Sequence, residues 1–278
     1  MAGEWSNLKE VARTLDVHYM TAYRYVRQGR LPATWVDNGW QVHRDDIDAF
    51  RTGVVTTEST TDSGTVDWAA RLAPMLLNGD ESGAWSVMEA AMSAGVDARD
   101  CYLTVLSGAL VELGDCWGEG TDDDLVDQRL ATATALRIVS RLGARFTRPG
   151  RRKGTVVLGA PLGENHTLPV AIAADLIRLA GFTVLELGAD VTAATFVAAA
   201  QRARRLVAVG VSLTTPEGLD AAIEVRRRLG DELPGVAVLI GGQAVGNPEV
   251  ASMLGSAGWA ANGADLVDVL DELARARR

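Results

Sequence analysis

Residues 154–187 read GTVVLGAPLGENHTLPVAIAADLIRLAGFTVLEL. Two short apolar runs, Thr155–Gly159 and Thr183–Leu187, flank a longer segment, Leu168–Ala180, of helical length and composition. A strand, a helix and a second strand in this order are typical of a unit with two parallel strands. This stretch therefore decides the fold class of the C-terminal part of the chain.

The same alternation continues to the end of the sequence. Further strands are predicted at Leu206–Ser212 and Ala237–Gly241, with a short edge strand near Gly258–Ala260. The remaining helices are predicted at Ala193–Arg204, Pro216–Leu229, Pro248–Leu254 and Asp265–Ala274. Residues 152–278 are thus expected to form a flavodoxin-like, doubly wound parallel sheet. Ligands bind such sheets at the carboxyl ends of the strands, which here carry Pro161–Thr167, Ser212–Thr215 and Gly241–Gly246.

Upstream, residues 66–148 show helical patterns throughout. Four helices are predicted, at Asp67–Asn78, Glu81–Ala94, Ala98–Glu119 and Asp123–Phe146. In the third, Leu103, Leu106, Leu110 and Leu113 share one helical face. The pattern favours a four-helix bundle, which on composition alone could also be a plain interaction or dimerisation module. A Thr-, Ser- and Gly-rich stretch, residues 53–65, is predicted to be a flexible linker.

Residues 1–52 have the layout of a winged helix-turn-helix domain. Asn7 can cap a helix over Leu8–Leu15, and a second helix is predicted from His18 or Tyr19 to about Gln28. Two alternating runs around Asp37-Asn38-Gly39 indicate a β-hairpin, and Asp45–Phe50 closes the module with a helical turn. Overall, the chain is predicted to be a multidomain α/β protein.

Composition excludes several classes of protein. No apolar run of the 278 residues reaches the roughly 18 needed for a membrane span, and the N-terminus lacks a signal-peptide pattern, so a cytoplasmic location is expected. Two cysteines cannot make a disulfide scaffold, and three histidines cannot make a multi-histidine metal site. The net charge of −9 argues against nucleic-acid binding overall, but residues 17–36 contain three arginines and no carboxylate.

This arginine-bearing segment lies in a module that resembles the excisionase/MerR-type DNA-binding domains over nearly all of residues 5–51. On its second helix Met20, Ala22 and Val26 can face inward. The side chains expected to reach a DNA groove are Thr21, Tyr23, Arg24, Arg27 and Arg30. Arginine suits both phosphate contact and the reading of guanine, so operator DNA is the predicted partner. The alternative is a solvated basic face on a small protein-binding domain.

The loops at the binding edge carry a spaced pattern. His166 lies on the first loop, Ser212-Leu213 follows the third strand and Gly241-Gly242 follows the fourth. Positions 170–211 provide 42 residues between the first two elements, and positions 214–240 provide 27 between the last two. The pattern resembles the cobalamin-binding signature D-x-H-x-x-G, S-x-L and G-G, and together with the upstream helices the resemblance covers roughly residues 66–278.

That resemblance implies roles for individual residues. His166 would coordinate cobalt from below, and Glu164, where the family has Asp, would accept the other imidazole proton. Ser212 would bind the displaced cofactor tail, and Gly241-Gly242 would let the backbone approach it. The adjoining cofactor-binding candidates are Asn165, Thr167, Leu213 and Thr214. Pro169 departs from the family's glycine.

The bundle resembles that of the CarH/LitR-type cobalamin-dependent light receptors, which carry W-x9-E-H. Here Trp117 is followed by Asp127-Gln128, which can still cover an upper cobalt ligand. The family places a histidine directly after the Trp, whereas this chain has Gly118 and no histidine in residues 66–148. A photoproduct whose second histidine on cobalt comes from the bundle is therefore excluded, leaving water or, as an alternative, the sulfur of Cys116.

Together these features predict a non-enzymatic transcriptional regulator that binds cobalamin, with adenosylcobalamin as the expected form, light as a candidate signal and a homo-oligomer as the expected assembly. One alternative is a corrinoid methyl-carrier protein. Another is a heme- or porphyrin-sensing regulator that uses His166 in the same way. A degenerate domain that keeps the fold without a cofactor is a further alternative.

Overall fold

The computed structural model describes residues 5–15, 17, 22, 25–26, 31–36, 39–51, 66–114, 122–146, 150, 152–260 and 262–277. The chain divides into two compact units. One comprises Met1–Ala91 with Thr104–Ala131, and the other comprises Met92–Leu103 with Thr132–Arg278. Across the described residues the protein is a multidomain α/β chain that contains a helical bundle and a parallel sheet.

The N-terminal module holds a small antiparallel sheet. Its elements are β1 (Trp5–Asn7), α1 (Leu8–Leu15), β2 (Thr34–Val36), β3 (Gly39–His43) and α2 (Arg44–Arg51). Strand β3 lies in the centre, with Val36 opposite Gly39 at the hairpin and Trp5 opposite His43 on the other side. The hairpin was predicted, but β1 was not, because three residues are too few to show alternation.

Helix α1 begins with reciprocal capping. Asn7 Oδ1 accepts the Glu10 N–H at 3.0 Å, while Glu10 Oε2 accepts the Asn7 N–H at 3.2 Å. The module has its own core, formed by Leu8, Val11, Ala12, Ala22, Val26, Leu31, Val42 and Ile47. Ala22 and Val26 are buried as predicted. Met20 and the linker 53–65 lie outside the described residues, so the winged helix-turn-helix as a whole stays a prediction.

The helical region has the predicted helices in the predicted order, except that the third, predicted at Ala98–Glu119, is divided within its described residues, which end at Gly114. The helices are α3 (Trp68–Leu77), α4 (Glu81–Ser93), α5 (Ala98–Asp100), α6 (Ser107–Gly114) and α7 (Asp122–Phe146). Asp67 and Asp97 accept backbone N–H groups at the start of α3 and α5. Among the described helices none is both long and apolar enough to cross a membrane.

The predicted leucine stripe of the third helix is confirmed at Leu106 and Leu113, which are fully buried, but not at its other two positions. A π-helical turn, Cys101–Leu106, joins α5 to α6 and changes the repeat of the helix at that point. As a result Tyr102 and Ala109 are fully buried, whereas the predicted Leu103 and Leu110 are only half-buried. A strict i, i+3, i+4 pattern cannot anticipate such an inserted residue.

The C-terminal sheet has four parallel strands in the order β5-β4-β6-β7. They are β4 (Thr155–Gly159), β5 (Thr183–Glu186), β6 (Leu206–Ser212) and β7 (Ala237–Gly241). The helices between and after them are α8 (Thr167–Leu179), α9 (Ala193–Arg202), α10 (Leu219–Glu232), α11 (Pro248–Met253) and α12 (Gly263–Ala276). Alternate residues of β4 serve two separate cores: Val157 packs with Phe196 and Val225, and Val156 packs with Ile177 and Leu270. The sheet is therefore covered on both faces, as predicted.

The predicted edge strand near Gly258–Ala260 is not formed. Ala257 N–H donates to the Val238 carbonyl at 2.8 Å, which starts a ladder along β7. The next N–H group on this side of β7, that of Ile240, instead donates to the hydroxyl oxygen of Ser256 at 2.9 Å. The same hydroxyl donates to the Gly258 carbonyl at 2.6 Å, so the side chain replaces the backbone partner and the ladder ends.

Candidate functional site

The site is built on the loops at the carboxyl ends of the parallel strands. The loop after β4 runs from Ala160 to His166, and His166 occupies the N-cap position of α8 without using its side chain as a cap. Its side chain is 43% exposed, while that of Glu164, two residues earlier, is 1% exposed. The short loop thus holds one acidic group inside the protein and one imidazole at its surface.

Glu164 connects two loops through its two carboxylate oxygens. Oε1 lies 2.5 Å from His166 Nδ1 and accepts the His166 backbone N–H at 3.0 Å. Oε2 accepts the backbone N–H groups of Thr214 at 2.8 Å and Thr215 at 3.0 Å, on the loop after β6. A single buried side chain therefore fixes the imidazole and the neighbouring loop together.

The surroundings keep this carboxyl ionised. Burial raises the pKa of Glu164, but the hydrogen bonds from His166, Thr215 and Thr214 outweigh it and lower the pKa to about 2. An ionised carboxylate can only accept hydrogen bonds, so the imidazole must carry its proton on Nδ1. Nε2 of a neutral imidazole then has a free lone pair. Nε2 has no hydrogen-bond partner among the residues that the structure describes.

The loops after β6 and β7 are packed against each other. Leu213 N–H donates to the Gly241 carbonyl at 2.8 Å, and Leu213 itself is fully buried. Gly242 has a φ of +117°, and a Cβ there would lie 2.2 Å from the Leu213 oxygen. Only glycine fits this approach. By contrast, a Cβ on Gly241 would meet nothing within 4 Å, so an open space adjoins the contact.

Ser212 ends β6 opposite Gly241 and is half-buried. It is followed directly by Leu213, and Thr214 stands where the S-x-L pattern that this segment resembles has its leucine. Thr214, predicted as a neighbour of the cofactor, contributes its backbone N–H to Glu164.

The described residues of the candidate site offer one metal ligand, the imidazole of His166, and therefore suit a metal whose other ligands belong to a bound cofactor. No cluster of three or more His, Cys, Asp or Glu side chains able to hold a bare ion exists among the described residues. A single imidazole, oriented by a carboxylate and open at Nε2, can supply one axial ligand to a metal held by a macrocycle. The residues present therefore fit a cobalt corrinoid.

Among the other predicted residues, Asn165 and Thr167 lie at this edge, where they flank His166 and are exposed. Asp127 and Gln128 are half-buried on α7, in the part of that helix that belongs to the first unit. Outside the described residues lie Cys116, Trp117 and Gly118, as well as the DNA-binding candidates Thr21, Tyr23, Arg24, Arg27 and Arg30.

Sequence reasoning missed two residues of the site. Thr215 donates its N–H to Glu164, a backbone role that no side-chain motif reveals. Asp190 accepts the Gly163 N–H at 2.8 Å from the loop after β5. The signal for Asp190 was available, since it is a carboxylate on the loop after a parallel strand, four residues beyond the end of β5.

Comparison with protein families gives three matches. Residues 154–264 match a B12 binding domain, residues 68–142 match a second type of B12 binding domain, and residues 7–53 match a helix-turn-helix domain. The helical region and the sheet are thus each associated with the same cofactor.

Individual relatives are corrinoid proteins. The chain is 28% identical over 172 residues to trimethylamine corrinoid protein 2 of Methanosarcina mazei, covering 60% of this chain and 78% of that one. It is 25% identical over 202 residues to a corrinoid protein of Desulfitobacterium hafniense, covering 71% and 93%. The monomethylamine corrinoid protein of Methanosarcina barkeri shares its fold, with a TM-score of 0.60 at 19% identity over 73% of this chain and 96% of that one.

These relatives are named as corrinoid proteins, which agrees with the expectation that this chain is not itself an enzyme. The CarH/LitR class is not singled out by the comparisons. The chain carries a helix-turn-helix domain and two B12 binding domains, and these matches support a corrinoid as its cofactor.

Proposed function

We propose that the sheet domain binds a corrinoid with Nε2 of His166 as the lower axial ligand of cobalt. The observation that carries this proposal is the contact between Glu164 and His166: a buried, ionised carboxylate binds Nδ1 and leaves Nε2 without a partner in the described part of the chain, on a half-exposed side chain at the carboxyl edge of the sheet. When bound, the corrinoid supplies a cobalt centre that can carry an alkyl group. The residues of the chain bind and orient it.

The neighbouring loops are suited to the cofactor's tail. Ser212 offers a hydroxyl at the end of β6, and Gly241 adjoins open space. The tight contact between Gly242 and Leu213 keeps the two loops at a fixed separation. We infer that the displaced nucleotide tail of the corrinoid enters beside these residues.

The test is an absorption titration of the purified chain with hydroxocobalamin. In the wild type we expect the imidazole of His166 to replace the cofactor's own benzimidazole on cobalt, which gives the spectrum of a nitrogen-bound corrinoid. His166→Ala should give the base-off spectrum, in which no nitrogen ligand is bound from below, or should lose binding. His43→Ala is the matched control, because His43 is a partly exposed histidine on β3 of the N-terminal module. An unchanged spectrum and affinity in His166→Ala would refute the assignment. Preference for hemin over the corrinoid would favour the porphyrin alternative.

The adenosyl form of the cofactor and a response to light rest on the resemblance alone. Repeating the titration with adenosylcobalamin, before and after illumination, tests both. A stable bis-imidazole photoproduct would contradict the expectation drawn from Gly118.

The first candidate role is that of a corrinoid carrier. The relatives support this role better than a regulatory one, since their names link corrinoid proteins to methylated amines. If the chain is a carrier, the methylcobalamin-loaded protein should give up its methyl group to an acceptor in the presence of a corrinoid-dependent methyltransferase. His166→Ala should do so poorly.

The second candidate role is a DNA-binding regulator, favoured by the helix-turn-helix match at residues 7–53. The monomethylamine corrinoid protein is covered over 96% of its length by 73% of this chain, so about a quarter of this chain has no counterpart in it. A carrier alone gives no reason for such an addition. A single small module of this kind binds DNA weakly, and several modules that bind together reach a higher overall affinity. A homo-oligomer is therefore part of this proposal.

Binding to a pool of random double-stranded oligonucleotides, followed by sequencing, tests the regulator. The double variant Arg24→Ala/Arg27→Ala should weaken binding and reduce its salt dependence. Each phosphate contact contributes about −0.9 to the slope of the logarithm of the binding constant against the logarithm of the salt concentration on B-DNA. Arg227→Ala/Arg228→Ala on α10 is the control with the same charge change. Wild-type binding by the Arg24/Arg27 variant would overturn the predicted recognition helix.

A further inference from the structure

Asp190 has an unusual backbone. It lies on the loop after β5 and has a φ of 57°, in the left-handed region that residues other than glycine seldom adopt. Asp and Asn tolerate this region better than most residues, but it still carries strain. A strained residue persists only where its surroundings hold it in place.

Two hydrogen bonds hold Asp190 to the loop that ends at His166. Its side chain accepts the Gly163 N–H on Oδ1 at 2.8 Å, and its own N–H donates to the Glu164 carbonyl at 2.9 Å. One residue thus contacts two consecutive residues of the neighbouring loop, once through its side chain and once through its backbone.

These contacts act on a tight turn. Glu164 N–H donates to the Pro161 carbonyl at 2.9 Å, and Gly163 within that turn has a φ of +84°. Pro161 also pairs with Val191, the residue after Asp190. The turn that presents Glu164 is therefore braced along its length by the segment around Asp190.

We propose that Asp190 is a positioning residue for His166: by holding the turn Pro161–Glu164 against the loop after β5, it fixes the carboxylate that orients the imidazole. The chain of contacts runs from Asp190 through the Gly163 amide to Glu164 and from Glu164 Oε1 to His166 Nδ1. The inference rests on the proposed role of His166 as a cobalt ligand. Loss of Asp190 leaves His166 in the chain but loosens its placement.

Three variants separate the role of the Asp190 acceptor oxygen from that of its left-handed backbone. Asp190→Ala removes the acceptor and disfavours the left-handed backbone, and Asp190→Gly removes only the acceptor. Asp190→Asn keeps an acceptor oxygen and tolerates the backbone. Asp268→Ala on α12 is the control, because Asp268 is an exposed carboxylate of the same unit.

Each full-length variant is loaded with hydroxocobalamin and reduced to the Co(II) state, and its electron paramagnetic resonance spectrum is recorded. Splitting by the imidazole nitrogen reports the fraction of cobalt bound to His166. We expect Asp190→Ala and Asp190→Gly to shift the equilibrium between bound and unbound imidazole about tenfold toward unbound. Asp190→Asn and Asp268→Ala should match the wild type.

Thermal unfolding of the cofactor-free proteins distinguishes positioning from a general loss of structure. For a positioning role, Asp190→Gly should unfold within about 3 °C of the wild type while still losing nitrogen coupling. Undiminished coupling in both Asp190→Ala and Asp190→Gly, or a large drop in the unfolding midpoint in both, overturns the inference. If the wild type itself lacks coupling and resembles His166→Ala, the proposed function fails first.

Discussion

Helix α8 has a buried carboxylate at each end, and the two are held in different ways. Glu164 precedes the helix and is bound by the imidazole of His166 and by backbone N–H groups. Asp175 lies near its C-terminal end and is bound by side chains: the Tyr102 hydroxyl donates to Oδ2 at 2.9 Å and Arg178 donates to Oδ1 at 2.8 Å. Both carboxylates are less than 10% exposed.

The difference lies in what the partners face. His166 is partly exposed and has a free ring nitrogen, whereas Tyr102 is fully buried and burial raises its pKa far above the usual range. Gly143 of α7 also lies against Asp175, since a Cβ there would be 2.6 Å from Oδ2. A buried acid whose partner reaches the surface leaves a ring nitrogen open to a bound group, as we propose for His166, while one enclosed by side chains joins segments of the fold.

The largest expected effect concerns acid stability at the Glu164 end. Because the pKa of Glu164 falls from 4.5 to about 2 on folding, its contribution to stability is complete above pH 4.5 and is lost as the pH falls to about 2. Between pH 7 and pH 2 the cofactor-free wild type should lose about 3 kcal/mol more stability than Glu164→Gln. Urea unfolding at several pH values measures this, and parallel curves for the two proteins would contradict it.

The next effect tests the crowding at the Asp175 end. Gly143→Ala should destabilise the chain by about 2 kcal/mol, because the new methyl group displaces a carboxylate that is held by two hydrogen bonds. The control is Gly230→Ala on α10, where the nearest atom is the movable end of Arg226 at 3.3 Å. There the higher helix propensity of alanine should stabilise the chain by up to about 1 kcal/mol. Equal effects at the two positions would remove the distinction.

The smallest expected effect concerns Tyr102, whose hydrogen bond to Asp175 should matter for stability and not for the cofactor. Tyr102→Phe removes one buried hydrogen bond and should cost about 1 kcal/mol, measured by denaturant unfolding. Its corrinoid spectrum should equal that of the wild type, in contrast to His166→Ala. A changed spectrum would show that the Asp175 end also acts on the cofactor site.

The two ends of α8 also differ in how far the sequence reveals them. His166, Glu164 and the glycine pair could be placed on one sheet edge, because the loops after parallel strands meet there and because the spacing of these residues resembles the cobalamin-binding signature. The Tyr102 contact spans 73 positions, and it depends on the π-helical turn Cys101–Leu106 that local periodicity cannot show. The strands were predictable from apolar runs. The edge strand near Gly258–Ala260 was not excluded, because a single serine hydroxyl ends the ladder there.

Glu164 has one methylene more than the aspartate of the signature that it resembles. Through this longer side chain a single carboxylate contacts the His166 imidazole with one oxygen and the Thr214 and Thr215 amides of the loop after β6 with the other. The extra methylene therefore extends the reach of the acid from its own loop to the next one. Restoring the consensus aspartate in Glu164→Asp should shorten that reach and separate the imidazole from the neighbouring loop.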